Sequence, residues 1–208
     1  MLVPTAPAAK IDPRTRLLEG LAQSLREKGL QRTQIGDIVR HAHTSRRTFY
    51  ECFPDKESAF VELIRESSIA ILELVEAAVD PQAPWDEQID RALGTYVATL
   101  AGDPALAATV SRELPALGSR GAALQHESIE RFAHLVMKMT RNTGMRSAGV
   151  KPVTLEEAVM LIGGIAELVA RAMHEDTPLA KASSTAKSVI KAVLRPPEGG
   201  LSRKRTKP

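Results

Sequence analysis

The stretch from Thr33 to Phe60, TQIGDIVRHAHTSRRTFYECFPDKESAF, admits few arrangements. Thr33 reads as an N-cap, with Ile35, Ile38 and Val39 following at helical spacing. His41, Ala42, His43 and Thr44 make a polar and small corner, and Ser45 reads as a second N-cap. Beyond it, Arg46, Arg47, Thr48 and Tyr50 fall on the outward part of a short helix, while Phe49 and Phe53 make an inward stripe. Pro54 breaks that helix and Asp55 caps the next. Two capped helices joined by a corner of about 3–4 residues describe a helix-turn-helix. The second of them carries two arginines, a hydroxyl and a phenol, side chains suited to a DNA major groove.

This segment resembles the DNA-binding domain of TetR-like (TetR/AcrR) transcriptional regulators, whose pattern runs roughly T-x-x-x-D-I-A-x-x-A-G-V-S-x-x-T-L/F-Y-x-x-F-x-x-K-E. The chain matches it at Thr33, Asp37, Ile38, Ala42, Ser45, Thr48, Phe49, Tyr50, Phe53, Lys56 and Glu57. It departs at Val39, at His43 where the pattern has the corner glycine, and at Thr44. A glycine there supplies a left-handed backbone, which histidine tolerates better than most side chains. The resemblance is sharp over roughly residues 14–64 and beyond that is one of size and helical content. It implies an all-α fold, with an N-terminal three-helix helix-turn-helix domain and a larger C-terminal helical ligand-binding and dimerisation domain, about nine helices in all.

Ahead of the motif, residues 1–12 read as a flexible arm whose Lys10, with Arg14 and Arg16 beyond it, is a candidate for DNA backbone or minor-groove contact. A first helix opens at Pro13, carries Leu17, Leu18, Leu21 and Leu25 on one face, and ends at Gly29. After the motif, a long amphipathic helix runs from Glu57 through Val79. Further helices are expected at about 86–101, 104–114, 119–142, 154–175 and 179–194, with no period-2 strand pattern. Thr154 with Glu157 forms a capping box. The expected organisation is an arm over 1–12, a DNA-binding domain over 13–58, a regulatory and dimerisation domain over 59–195, and a disordered basic tail over 196–208.

Charge supports this division: residues 1–65 carry a net +3, residues 66–195 a net −3 and the tail a net +3. A basic head suits nucleic acid, and the tail's SRKRTK is either a further DNA attraction or a solubility device. The single cysteine, Cys52, excludes an internal disulfide and a cysteine-rich zinc site. No signal peptide or span of about 18 apolar residues is evident, so a cytoplasmic protein without membrane contact is expected. His41 and His43 form an H-x-H pair without further ligands nearby, so no metal is expected. Neither a Gly-rich phosphate loop, nor H-E-x-x-H, nor G-x-S-x-G occurs, so no catalytic residue and no cofactor are assigned.

The candidate DNA contacts are Thr33, Gln34, Ser45, Arg46, Arg47, Thr48, Tyr50 and Lys56. Arg46 and Arg47 are the candidates for guanine O6 and N7, with phosphate contact the alternative for each. Thr48, Tyr50, Thr33 and Gln34 suit phosphate and sugar, and the resemblance gives Lys56 a phosphate contact. For a small-molecule effector, largely apolar, the candidates are Tyr96, Leu100, Glu113, Ser128, Phe132, Val136 and Glu167. Glu113 and Glu167 stand within apolar runs and need a partner, whether a cationic ligand, an internal arginine or solvent.

The segment around Gly163 and Gly164 is apolar over more than one face. The resemblance implies that the last two helices form a four-helix homodimer interface, here through Leu161, Gly163, Gly164, Ile165, Leu168, Val189, Ile190 and Val193; a plain core helix is the alternative. The function implied is a ligand-responsive one-component regulator, in the commoner case a repressor, binding a pseudo-palindromic double-stranded DNA operator as a dimer. The other reading is an inducer-independent architectural or division-control protein of the same fold.

Overall fold

The computed structural model describes residues 12–196, so the N-terminal arm with Lys10 and the basic tail beyond Pro196 lie outside the described residues. Among those described, ten α-helices and one 3-10 turn account for the regular structure. The chain divides into two compact units, Met1–Ile64 and Arg65–Pro208.

In the first unit, α1 (Pro13–Arg32) is interrupted at Gly29, whose φ of 72° and ψ of 173° kink the helix before a final turn. Leu17, Leu18, Leu21 and Leu25 are buried, as their spacing requires. α2 (Ile35–His41) lies against α1, and α3 (Arg46–Cys52) follows after a short turn. The opening of α4 (Lys56–Ala78) adds Phe60, Leu63 and Ile64 to the buried set, so the first unit closes inside α4. Each such apolar side chain contributes about 1.5–3 kcal/mol when fully withdrawn from water.

The approach of α1 to α2 depends on Gly20. A Cβ at that position would stand 2.6 Å from the Ile38 carbonyl oxygen and 2.9 Å from the Ala42 nitrogen, both backbone atoms. Arg14 closes the same unit from another side, with its guanidinium 5.6 Å from the centre of the Phe53 ring and 2.7 Å from Glu62 Oε1.

The second unit contains the rest of α4, then α5 (Trp85–Gly102), α6 (Pro104–Glu113), α7 (Ser119–Thr140), α8 (Thr143–Ser147), α9 (Leu155–His174) and α10 (Leu179–Leu194). α9 packs on α6, α7 and α10, and α10 also packs on α5. Ile89, Leu93, Ala133, Met145, Val153, Leu161, Ile165, Val169, Ile190 and Leu194 form the core. The Thr154–Glu157 capping box opens α9, with reciprocal bonds of 3.2 and 2.8 Å.

α8 is the helix that periodicity does not reveal, being five residues long. Asn142 builds it by accepting from the Met145 N–H at 3.0 Å, and also donates to Gln88 Oε1 at 2.7 Å. Gln88, fully buried, donates in turn to the Ala83 carbonyl at 2.8 Å, which satisfies both ends of its amide.

Within this unit α4 and α7 run parallel, tied by two ion pairs of opposite polarity. Arg65 reaches Glu127 at 3.2 Å, and Glu76 meets Lys138 one stretch further along both helices. Hydrogen bonds from Arg65, and then the nearby Arg131, hold the Glu127 carboxyl below the usual glutamate range. No helix among the described residues is long and apolar enough to cross a membrane.

Substituting Gly20→Ala forces the α1 and α2 backbones apart and is expected to cost the first unit about 1–3 kcal/mol. The single tryptophan, Trp85, reports on the second unit alone. The variant should lose helical circular dichroism at a lower temperature than Trp85 fluorescence changes. Coincident, unshifted transitions would contradict the close approach.

Candidate nucleic-acid interface

The turn between α2 and α3 is closed by two backbone bonds, from His43 N–H to the Arg40 carbonyl at 3.3 Å and from Thr44 N–H to the Val39 carbonyl at 2.9 Å. This is a Schellman closure, in which the residue after the C-cap takes a left-handed backbone. His43 occupies that place with φ 49°. Ser45 then caps α3, its hydroxyl accepting from the Thr48 N–H at 3.1 Å and lying 3.0 Å from the Thr48 hydroxyl.

Orientation of α3 follows from its aromatic pair. Phe49 is fully buried and Phe53 nearly so, with ring centres 5.8 Å apart. Arg46, Arg47 and Tyr50 are consequently exposed, and Tyr50 stands edge-on to Phe49. Arg46 reaches back toward the first turn of α2, where a Cβ on Gly36 would lie 3.3 Å from its Nη2. Arg47 donates through Nε to Glu51 Oε1 at 2.9 Å. Gln34, Gly36, Arg46, Tyr50 and Lys56 border one open depression of about 450 Å³. Gly36 carries no signal of its own in the sequence, whereas the i,i+4 spacing of Arg47 and Glu51 does.

Two expected contacts are corrected. Thr33 is not the N-cap of α2, a place held by Gln34, whose N–H donates to Asp37 Oδ2 at 2.9 Å. Thr33 is buried, its hydroxyl donating to the Gly29 carbonyl at 2.7 Å and lying 3.0 Å from Ser24 Oγ, so its side chain faces the interior. Lys56 spends its ammonium at the end of α1, donating to the Leu30 and Thr33 carbonyls at 2.8 and 3.0 Å. It holds a helix C-terminus, where a cation is favoured by the unpaired carbonyls.

Asp37 binds α2 to α1. Hydrogen bonding from Lys28, at 2.6 Å, and then from the Gln34 N–H keep its carboxyl below the usual aspartate range. His41 Nε2 lies 3.2 Å from Glu27, while His43 is exposed.

In the second unit the expected interface residues part company. Leu161, Ile165 and Ile190 are buried in the core, and Leu168 packs against it, because α9 and α10 each turn one face inward. Val189 and Val193 are each 51% exposed, Gly164 is exposed, and nothing lies within 4 Å of a Cβ built at Gly163 or Gly164. Met160, at 64% exposure, and Val159 extend the apolar surface of α9.

The expected ligand residues do not form one set either. Tyr96, Leu100 and Val136 pack against the core, and Tyr96 meets Phe132 edge-to-face at 5.8 Å. Burial pushes the Tyr96 phenol up from its ordinary value. Ser128 lies on the same helix as Phe132 and is half-buried. Glu113 is buried near the end of α6, whereas Glu167 is exposed in a groove with Ser111, Arg112 and His174.

Residues 17–63 match the sequence profile of bacterial regulatory proteins, tetR family. Over 142 residues the chain is 22% identical to the uncharacterized HTH-type transcriptional regulator YhgD of Bacillus subtilis, covering 68% of this chain and 74% of that relative. It is 24% identical over 99 residues to the fatty acid metabolism regulator protein of Bacillus subtilis, covering 48% of this chain and 51% of the relative. Among solved structures, the fold is similar to the transcriptional regulator FadR from Bacillus subtilis in complex with stearoyl-CoA. That likeness has a TM-score of 0.70 and 20% identity, over 85% of this chain and 96% of that one.

His43→Gly removes a left-handed side-chain penalty of about 1 kcal/mol. The circular-dichroism transition of the first unit should rise by a few degrees, with Trp85 fluorescence unmoved. A fall would mean that the His43 side chain stabilises the corner.

Proposed function

We propose that the chain is a helix-turn-helix transcriptional regulator, a ligand-responsive repressor that binds a pseudo-palindromic operator as a homodimer, with residues 17–63, which match the profile of bacterial regulatory proteins, tetR family, as its DNA-binding domain. The observation that carries the DNA-binding reading is α3 itself, with Phe49 buried and Arg46, Arg47 and Tyr50 exposed on a capped helix. Arginine pairs with guanine O6 and N7 through two donors, while Tyr50, Thr48, Ser45 and Gln34 serve the sugar-phosphate backbone.

Two copies pair through the outward faces of α9 and α10. Met160, Val189 and Val193 are large apolar side chains left in water, and the open backbone at Gly163 and Gly164 permits close helix approach. A dimer presents two α3 helices to successive major grooves, with half-sites about 34–36 Å apart or a multiple of that.

For the effector we propose a largely apolar molecule bound in the second unit near Tyr96 and Phe132. Stearoyl-CoA, present in the FadR structure, is the chemistry to try first. α4 is one continuous helix through the residues that close the first unit and open the second, so displacing it transmits ligand occupancy to the α2–α3 pair. Such coupling is reciprocal and typically 5–150-fold, so operator DNA weakens effector binding by the same factor.

The purified protein should prefer DNA flanking its own gene over a scrambled duplex at both about 50 and about 200 mM salt; Arg47→Ala should reduce that preference about tenfold, and Tyr50→Ala should weaken binding to both duplexes alike. Equal binding to both duplexes that collapses with salt would leave only backbone attraction. Met160→Glu combined with Val193→Glu should give a folded monomer by sedimentation and weaken operator binding at least about tenfold. A double variant that stays dimeric removes the α9–α10 pairing.

A further inference from the structure

The outermost side of α3 carries an acid. Phe49 is fully buried, and at 100° per residue the positions pointing furthest from it are 47 and 51. Their side chains are correspondingly open, Arg47 88% and Glu51 57% exposed. The neighbours Arg46, Thr48 and Tyr50 are cationic or neutral, so Glu51, one residue from the end of α3, places a negative charge on the outward midline of the surface proposed to meet DNA. Towards phosphate that charge is repulsive. As a brace for the helix, an exposed i,i+4 pair gives little.

We infer that Glu51 is a specificity-determining residue that accepts a hydrogen bond from the N4 amino group of a cytosine, next to the guanine engaged by Arg47. The inference rests on the reading of the chain as a DNA-binding regulator. Arg47 uses Nε to hold Glu51 Oε1, at 2.9 Å. Both Nη groups therefore remain for guanine O6 and N7, and Glu51 Oε2 remains for an amino hydrogen. The two residues start about 6 Å apart along the helix, but the Nε–Oε1 bond brings their side-chain heads together, within reach of base pairs about 3.4 Å apart. In the major groove guanine and thymine present acceptors, which a carboxylate repels. Adenine sets the N7 acceptor beside its amino group, whereas cytosine offers the donor alone.

The test uses the full-length protein and its preferred duplex, selected from a randomised pool. Wild type, E51A, E51Q and R47A are titrated at one salt concentration against that duplex, its single-base variants and a scrambled duplex. E51A should bind the scrambled duplex at least as tightly as wild type and lose about tenfold discrimination at one cytosine. That cytosine should neighbour the guanine whose discrimination R47A loses. E51Q should shift the preference there toward adenine, whose N6 and N7 suit an amide. Replacing the cytosine with 2-pyrimidinone, which lacks the amino group, should weaken wild type about tenfold and leave E51A unchanged. A wild type that selects a site, with E51A keeping discrimination at every position, overturns this inference alone. A wild type that selects no site overturns the DNA-reading function and this inference together.

Discussion

A helix of seven residues does not hold its shape in water, because the cost of its first turn is not recovered over so short a length. The surface presented by α3 therefore depends on the burial of Phe49. That ring, with Phe53 beside it, anchors the helix to a core supplied by α1, α2 and the start of α4. The Ser45 cap fixes where the helix starts, and the turn at His43 fixes the angle at which it leaves α2. Rotating α3 by one residue would exchange Phe49 for an exposed neighbour, so core packing and the choice of outward residues are one constraint. Gly20 belongs to the same constraint, since α2 can support α3 only if it first comes close to α1.

The second unit resolves a different problem, how one helix serves two surfaces. α9 contributes Leu161, Ile165 and Val169 to the core and leaves Met160 and Gly164 outward. Its apolar surface is wider than the core uses, and the surplus is what a second copy would cover. α4 is held more lightly in this unit, with Val75 buried and two ion pairs to α7. Exposed charge pairs contribute little individually. A helix held there by one buried side chain and two such pairs would shift at small cost, which suits the signal-carrying role proposed for it.

Much of the fold was legible in the sequence because its signals are local. Ser45 as a cap, Pro13 in a first turn, the Thr154–Glu157 box and the left-handed residue at 43 each follow from chemistry within about four positions. What was not legible depended on partners distant in sequence. Thr33 has the composition of a cap, yet the kink at Gly29 turns its hydroxyl inward to Ser24. Lys56 looked available for phosphate because the carbonyls that occupy it belong to Leu30 and Thr33. α8 is too short for a period and exists because Asn142 also binds Gln88. The interface residues divided because an apolar stripe does not say which of its edges meets the chain's own core.

The same distinction governs charge. A net +3 over residues 1–65 is a weak sign of nucleic-acid binding, and several of the cations behind it are engaged within the protein. Lys28 and Arg40 meet Asp37, Arg14 meets Glu62 and the Phe53 ring, and Lys56 closes the end of α1. These contacts help determine the shape of the unit. Arg46 and the outer nitrogens of Arg47 stand on the exposed side of α3, over a helix whose aromatic anchors keep it still. On the proposed reading preorganisation lets so small an excess suffice, since a guanidinium carried on an anchored helix loses less freedom when it meets a base edge. On that reading, recognition would rest on the position of a few charges, with the others helping to fix that position.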